Sequence, residues 1–301
     1  MSMPELPEVE TLRRQLEPVL VGQQILSVEV LRDKSWFGDV RETEGRKIAS
    51  VERKGKVLIV GLKAEKSKET FLIVHLKMTG QLIYQGVSKK TEKVEISLKD
   101  RIVGGHPNNS WTSVLPDKHT RVIINLSKGS LFFNDQRVFG WVKLITGSEL
   151  KVQIAKMPPD IIDIEVTEEW FFDLLQRSGR AIKLVIMDSG KLGGVGNIYA
   201  NDGLFDAGID PRRSSKSLTR KESNRLLASL KKVVNLGIKL GGATAADGKF
   251  VNSAGLGGTY QNHFLVYEQE GKVVSLNKES GVVQKIKLGG RGTYWVPELQ
   301  K

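Results

Sequence analysis

The chain contains no cysteine. Disulfides, thiolate nucleophiles, iron–sulfur clusters and every zinc site built on Cys are thereby excluded. Histidine is scarce too: His75, His106, His119 and His263 are the whole set, without HExxH or close His-x-His spacing, so no metal or other cofactor is expected. No apolar run approaches the roughly 18 to 20 residues of a membrane-spanning helix, which removes the membrane as a partner. The opening MSMPELPEVE lacks the basic stretch and apolar core of a secretory signal, and the expected location is the cytoplasm, in association with the nucleoid. Negative charge is in short supply as well. Forty-six Lys plus Arg face 34 Asp plus Glu, a formal net charge of +12 that points to a polyanionic partner, nucleic acid ahead of an acidic membrane. The alternative is a basic soluble protein without such a partner. A length of 301 residues favours two domains, or two and a small appendage.

Leu6, Val9, Leu12, Leu16 and Val19 recur at helical spacing, and Pro4 and Pro7 suit a helix entry, where a proline costs no intrahelical hydrogen bond. From 24 to 146 the pattern turns to β, with short Val/Ile/Leu-rich runs at 25–30, 47–51, 56–62, 71–76, 121–126 and 130–134. Strands so spaced, without long helices between them, predict an antiparallel sandwich. The polar stretch 88–120 reads as a long surface loop. Thr167 and Thr219 open two further helices, the second carrying Leu226, Leu227, Leu230, Val233, Val234 and Ile238. Residues 241–258, rich in Gly and Ala, read as a mobile loop, and the tail returns to β over 263–268, 282–288 and 293–296.

Three constellations offer chemistry. Pro4-Glu5 would supply a secondary amine and a proton carrier if the proline were N-terminal, or else a proline-initiated helix with acids at its positive end. The run Gly193-Gly194-Val195-Gly196-Asn197 enters a helix, where backbone amides and the Asn197 side chain could bind a phosphate, or simply make a turn. Arg291, in a glycine-rich turn between two tail strands, could clamp a phosphate or be a solvated turn residue.

Taken in this order, and with PELPEVETLRR, RKGKVLIVGL, HLKMTGQL, NDQRVFGW and MDSGKLGGVGNIYANDGLFDAGIDP, they make a sequence that resembles the formamidopyrimidine-DNA glycosylase and endonuclease VIII family over nearly its whole length, on the formamidopyrimidine side. The resemblance implies an α+β fold: a catalytic β-sandwich with its N-terminal helix over 1–150, a helical helix–two-turn–helix domain with a lid loop over 151–258, and a β-hairpin finger over 259–301. It implies a monomer acting on damaged double-stranded DNA. The enzyme would be a glycosylase and abasic-site lyase of base excision repair, removing 8-oxoguanine and formamidopyrimidines through a Schiff base on the proline, followed by β- and δ-elimination. By motif position Pro4 is the nucleophile, Glu5 the proton shuttle and Lys56 a phosphate contact that assists charge stabilisation. Met78, Arg137 and Phe139 fill the void left by the everted nucleotide. His75, Lys183, Asn197, Tyr260 and Arg291 grip the DNA backbone, and 243–258 covers the flipped base.

Two departures bear on these expectations. Family members commonly carry four zinc-binding cysteines in the tail; here the finger is zincless, and Phe264, Val266, Val283, Ile286 and Tyr294 are expected to pack in the metal's place. Met1, Ser2 and Met3 precede Pro4, whose nitrogen is a nucleophile only once they are gone. If they stay, the chain is a damage-binding protein without chemistry, or a lyase that uses a lysine amine such as that of Lys56.

Overall fold

The computed structural model describes residues 4–63, 68–87, 101–243 and 258–301. Helix α1 (Leu6–Leu20) forms as the apolar spacing requires, with Pro7 in its first turn and the Glu5 backbone N–H donating to Glu8 Oε2 at 2.8 Å. The chain leaves it at Gly22, where φ of +86° suits glycine.

Among the described residues ten strands follow: β1 (Ile25–Val30), β2 (Trp36–Phe37), β3 (Lys47–Lys54), β4 (Val57–Lys63), β5 (Thr70–His75), β6 (Gly80–Gly86), β7 (Arg101–Gly105), β8 (Thr120–Leu126), β9 (Gly129–Asp135) and β10 (Trp141–Thr146). They build two five-stranded sheets, ordered β1-β8-β9-β6-β7 and β2-β10-β5-β4-β3. Pairing is antiparallel except at the short β2, which lies parallel to β10. Period-two alternation assigns the faces. Leu58, Val60 and Leu62 point between the sheets with Leu72, Val74, Val122 and Phe133, while Ile59, Ile73 and Ile145 on the outer face meet Leu150 of α2 (Gly147–Ala155).

The surface loop expected over 88–120 is corrected in part. Residues 88–100 lie outside those described, but Arg101–Gly105 adds the edge strand β7 to β6, and Trp111, only 3 % exposed, covers Ile83, Val103, Ile123 and Phe132 on the sheet's outer face. One buried indole supplies an anchor that the polar composition conceals.

The helical half contains α3 (Glu168–Gln176), α4 (Ile182–Ile186), α5 (Asn197–Asp206) and α6 (Arg220–Lys239). Thr167 and Thr219 start α3 and α6 by accepting the Trp170 and Glu222 amides. The tail forms two hairpins, β11 (Val273–Leu276) with β12 (Glu279–Val282) and β13 (Gln284–Leu288) with β14 (Arg291–Trp295). The strand expected over 263–268 does not form, because the buried Asp202 carboxylate takes the Val266 and Tyr267 amides, at 3.1 Å each, that a ladder would need. The strand expected over 282–288 breaks at Val283, which turns into the core. Val266, Val283 and Tyr294 are buried in that core with Phe264 against them, whereas Ile286 stays half-exposed on β13; Val296 is the residue found inside.

Candidate active site

The two halves meet where α1 begins. Leu6 donates its amide to the Gly194 carbonyl at 3.2 Å, and Glu5 Oε1 accepts the Ile198 amide at 2.9 Å, in the first turn of α5. Only glycine allows this approach. A Cβ on Gly194 would stand 2.3 Å from Leu6 Cδ1, and one on Gly196 would stand 2.1 Å from the Glu5 carboxyl carbon. The helix entry that the sequence offers for a phosphate is therefore filled by the protein's own carboxylate at the positive helix end. Asn197 is the first residue of α5, after the Gly196 cap.

Burial pushes the Glu5 carboxyl up to about 7; Lys56 draws it down and neighbouring Glu8 pushes it further up. Lys56 Nζ lies 3.4 Å from the Val195 carbonyl. Burial also raises Glu8, although Oε1 accepts the Tyr199 hydroxyl at 2.9 Å and the Ala243 amide at 2.7 Å. Glu8 thus ties α1 to α5 and to the start of the expected lid, a link that α1's helical periodicity hides. Residues 244–257 of that lid lie outside those described. Pro4 is buried directly before Glu5.

Glu5 and Lys56 line a cleft of about 710 Å³ with His75, Lys77, Asn197 and Arg291. His75 is pulled down to about 4 by burial and by Lys77 and Lys56, so its ring is neutral; Nδ1 accepts the Lys77 amide at 3.1 Å, which leaves the ring proton on Nε2 as a donor. Arg291 stands exposed beside the Gly289-Gly290 turn. Among the described residues no group of His, Asp and Glu could hold a metal ion, and no helix is long and apolar enough to cross a membrane.

Two of the expected backbone contacts, Lys183 and Tyr260, lie inside the protein, both 0 % exposed. Lys183 Nζ donates to the Gly292 carbonyl at 3.0 Å and to Thr293 Oγ1 at 2.7 Å, and Asn197 Nδ2 donates to the same Gly292 carbonyl at 3.1 Å. Both fasten the Arg291 hairpin to the helices. Burial depresses the Lys183 ammonium to about 7. Tyr260 stacks on Tyr199 at 4.9 Å and donates its hydroxyl to Asp202 at 3.1 Å.

Met78, Arg137 and Phe139 come together. The Arg137 guanidinium lies 4.8 Å over the Phe139 ring, with one nitrogen 3.6 Å from Met78 Sδ. Phe139 is 52 % exposed and Met78 half-buried, so the phenyl ring is displayed and not packed in a core. Asp135 builds this platform. Its carboxylate, fully buried, accepts the amides of Arg137 at 3.1 Å, Phe139 at 2.8 Å and Gly140 at 2.6 Å, and the Thr79 hydroxyl. Its signal in the sequence is the acid two residues before Arg137.

The formamidopyrimidine-DNA glycosylase N-terminal domain model matches residues 3–142, and the H2TH domain model of the same enzyme matches 157–248. The formamidopyrimidine-DNA glycosylase of Prochlorococcus marinus (strain NATL2A) is 35% identical over 311 residues, covering 99% of this chain and 100% of the relative. Among solved structures, the Lactococcus lactis Fpg in complex with an abasic site containing DNA superposes with a TM-score of 0.80 at 28% identity, covering 99% and 100% of the two chains. The MutM (Fpg) protein from Thermus thermophilus gives 0.78 at 31% identity, with 99% and 98% covered.

Proposed function

Because the chain belongs to the formamidopyrimidine-DNA glycosylase family, we propose that the Glu5 cleft excises oxidised purines, 8-oxoguanine and formamidopyrimidines, from duplex DNA. Membership makes the chain a DNA glycosylase and abasic-site lyase of base excision repair, with damaged DNA as its partner. In our reading it works as a monomer on the nucleoid, and its chain divides at about 150 and 258 into sandwich, helical unit and finger.

The observation that carries the proposed chemistry is the Glu5 carboxyl, poised at about 7 beside Lys56. A carboxyl near neutrality both gives and takes a proton, which is what the reaction asks of it. The secondary amine of Pro4, freed of Met1 to Met3, attacks C1′ of the everted nucleotide, and the base leaves with a proton. Glu5 protonates the sugar ring oxygen as the ring opens, and the nitrogen lone pair completes the iminium. Loss of a C2′ proton then expels the 3′ phosphate, and a further elimination expels the 5′ phosphate. Lys56, Asn197, the neutral His75 and Arg291 hold the flanking phosphates, while Met78, Arg137 and Phe139 occupy the vacated stack. Lys183 and Tyr260 serve by holding the finger and the helices in register.

Borohydride trapping on 8-oxoguanine duplex tests this reading, with the mature N terminus read by mass spectrometry. A covalent adduct that maps to Pro4 is expected. An adduct on Lys56 transfers the chemistry to a lysine, and trapping by a protein that keeps Met3 transfers it to an amine other than that of Pro4; binding without trapping or strand cleavage leaves a damage-binding protein.

A further inference from the structure

A second hollow, of about 630 Å³, lies outside the Glu5 cleft. The segment that continues from β7 forms its wall, and Gln136, the residue between Asp135 and Arg137, closes it on the platform side. Wall and platform are one built piece. The Asp135 amide donates to the His119 carbonyl at 2.9 Å; Arg121 donates from Nε to the Asp135 carbonyl at 2.7 Å and from Nη1 to the Lys118 carbonyl at 3.1 Å. Asn134 Nδ2 reaches Asp117 Oδ1 at 3.3 Å.

The lining is mostly amide and hydroxyl: Asn108, Asn109, Gln136, Ser110 and Ser113, with Lys118 as its single lysine. The Asp117 carboxylate is engaged by the His119 amide at 2.8 Å as well as by Asn134. A phosphate strand calls for several cations and no carboxylate, whereas amides and hydroxyls match the donor and acceptor pattern of base edges. Among the described residues Asn108 Oδ1 accepts the Ser110 amide at 2.7 Å, and its buried Nδ2 has no hydrogen-bond partner.

We infer that this hollow receives the base left unpaired opposite the lesion, and that Gln136 and Asn109 read its edge beside Arg137. The inference rests on the proposed void-filling role of Phe139 and its two neighbours. It makes the segment after β7 a specificity element for the undamaged strand.

Asn109 and Gln136 are both exposed, so alanine at each leaves the fold intact, which a thermal melt verifies. Single-turnover excision is measured for 8-oxoguanine opposite C, A, G and T, and in a single strand, with the full-length protein, Asn109→Ala/Gln136→Ala and Phe139→Ala. A lost bidentate amide contact narrows the spread of rates among the four opposite bases by about tenfold. The single-strand rate stays as it was. An unchanged spread, an equal loss on all four duplexes, or no spread in the parent protein overturns the inference. Phe139→Ala separates the two readings: a normal duplex rate in that variant refutes the void-filling role, whereas a reduced rate with an unchanged spread in the double variant refutes the hollow alone.

Discussion

Glu5→Gln separates chemistry from stability. Glutamine keeps the shape of the side chain and the oxygen that accepts the Ile198 amide, and removes the titration. The folded carboxyl sits at about 7 against a reference of 4.5, so between those values the native state holds a proton that the unfolded chain has released. The stability from that proton is fully present below about pH 4.5 and is lost as pH rises through 7, a difference of about 3 kcal/mol by pH 8. Glutamine stays neutral throughout. The variant should match the parent near pH 4.5 and exceed it by about 3 kcal/mol at pH 8, several degrees in Tm. Its excision rate should fall by about 100-fold or more while duplex affinity holds, because Glu5 grips no phosphate. Urea melts of both proteins at half-unit steps from pH 4.5 to 8 measure the gap, which should widen by about 1.4 kcal/mol per pH unit within the window. A gap flat in pH, or a variant less stable at pH 8, would refute a carboxyl made costly by burial.

Arg291→Ala should weaken all duplexes alike, damaged or intact, and lower the slope of log affinity against log salt by about 1; lesion-selective loss would contradict a phosphate contact. Lys183→Met retains the buried stem but gives up the bonds to the Gly292 carbonyl and Thr293 Oγ1, leaving Asn197 as the Gly292 partner, so its binding loss should resemble that of Arg291→Ala, and the double variant should be no worse than either. Additive losses in fluorescence anisotropy would show that Lys183 acts elsewhere. Asp135→Ala leaves three amides under the platform without their acceptor, a cost of about 3 kcal/mol or more in chemical denaturation, and should bring duplex excision down to the level of Phe139→Ala. Prolonged chelation should leave DNA affinity unchanged in the same anisotropy titration; restoration by zinc would point to a metal-dependent finger.

Legibility tracked the kind of force involved. α1, β1 and α6 follow from apolar period and caps, both local signals, and the structure gives β1 the bounds expected for it. Trp111, Asp202 and Val283 act at long range, and nothing in their neighbours reveals that one caps a sheet, another captures the tail's amides and the third interrupts a strand. The same holds in the site. The glycines before α5 are legible as a close-approach device, but the group that approaches is Glu5, nearly two hundred positions away in the chain. Lys183 carries the charge of a phosphate ligand and the burial of a core residue, and charge alone is visible in a sequence.

Leu6 lies in the helical core, whereas Val9, Leu12, Leu16 and Leu20 of the same helix lie in the sandwich core. The first turn of α1 is thus a dowel through both halves, and its tip adjoins the proposed reactive end. Termini are usually where chains tolerate loss, but here, once Met1 to Met3 are gone, trimming that continues past Pro4 into Leu6 takes away the proposed chemistry and the seam together. A molecule clipped that far should loosen and be cleared by proteolysis, and so should not persist as an inert competitor that shields lesions from intact enzyme.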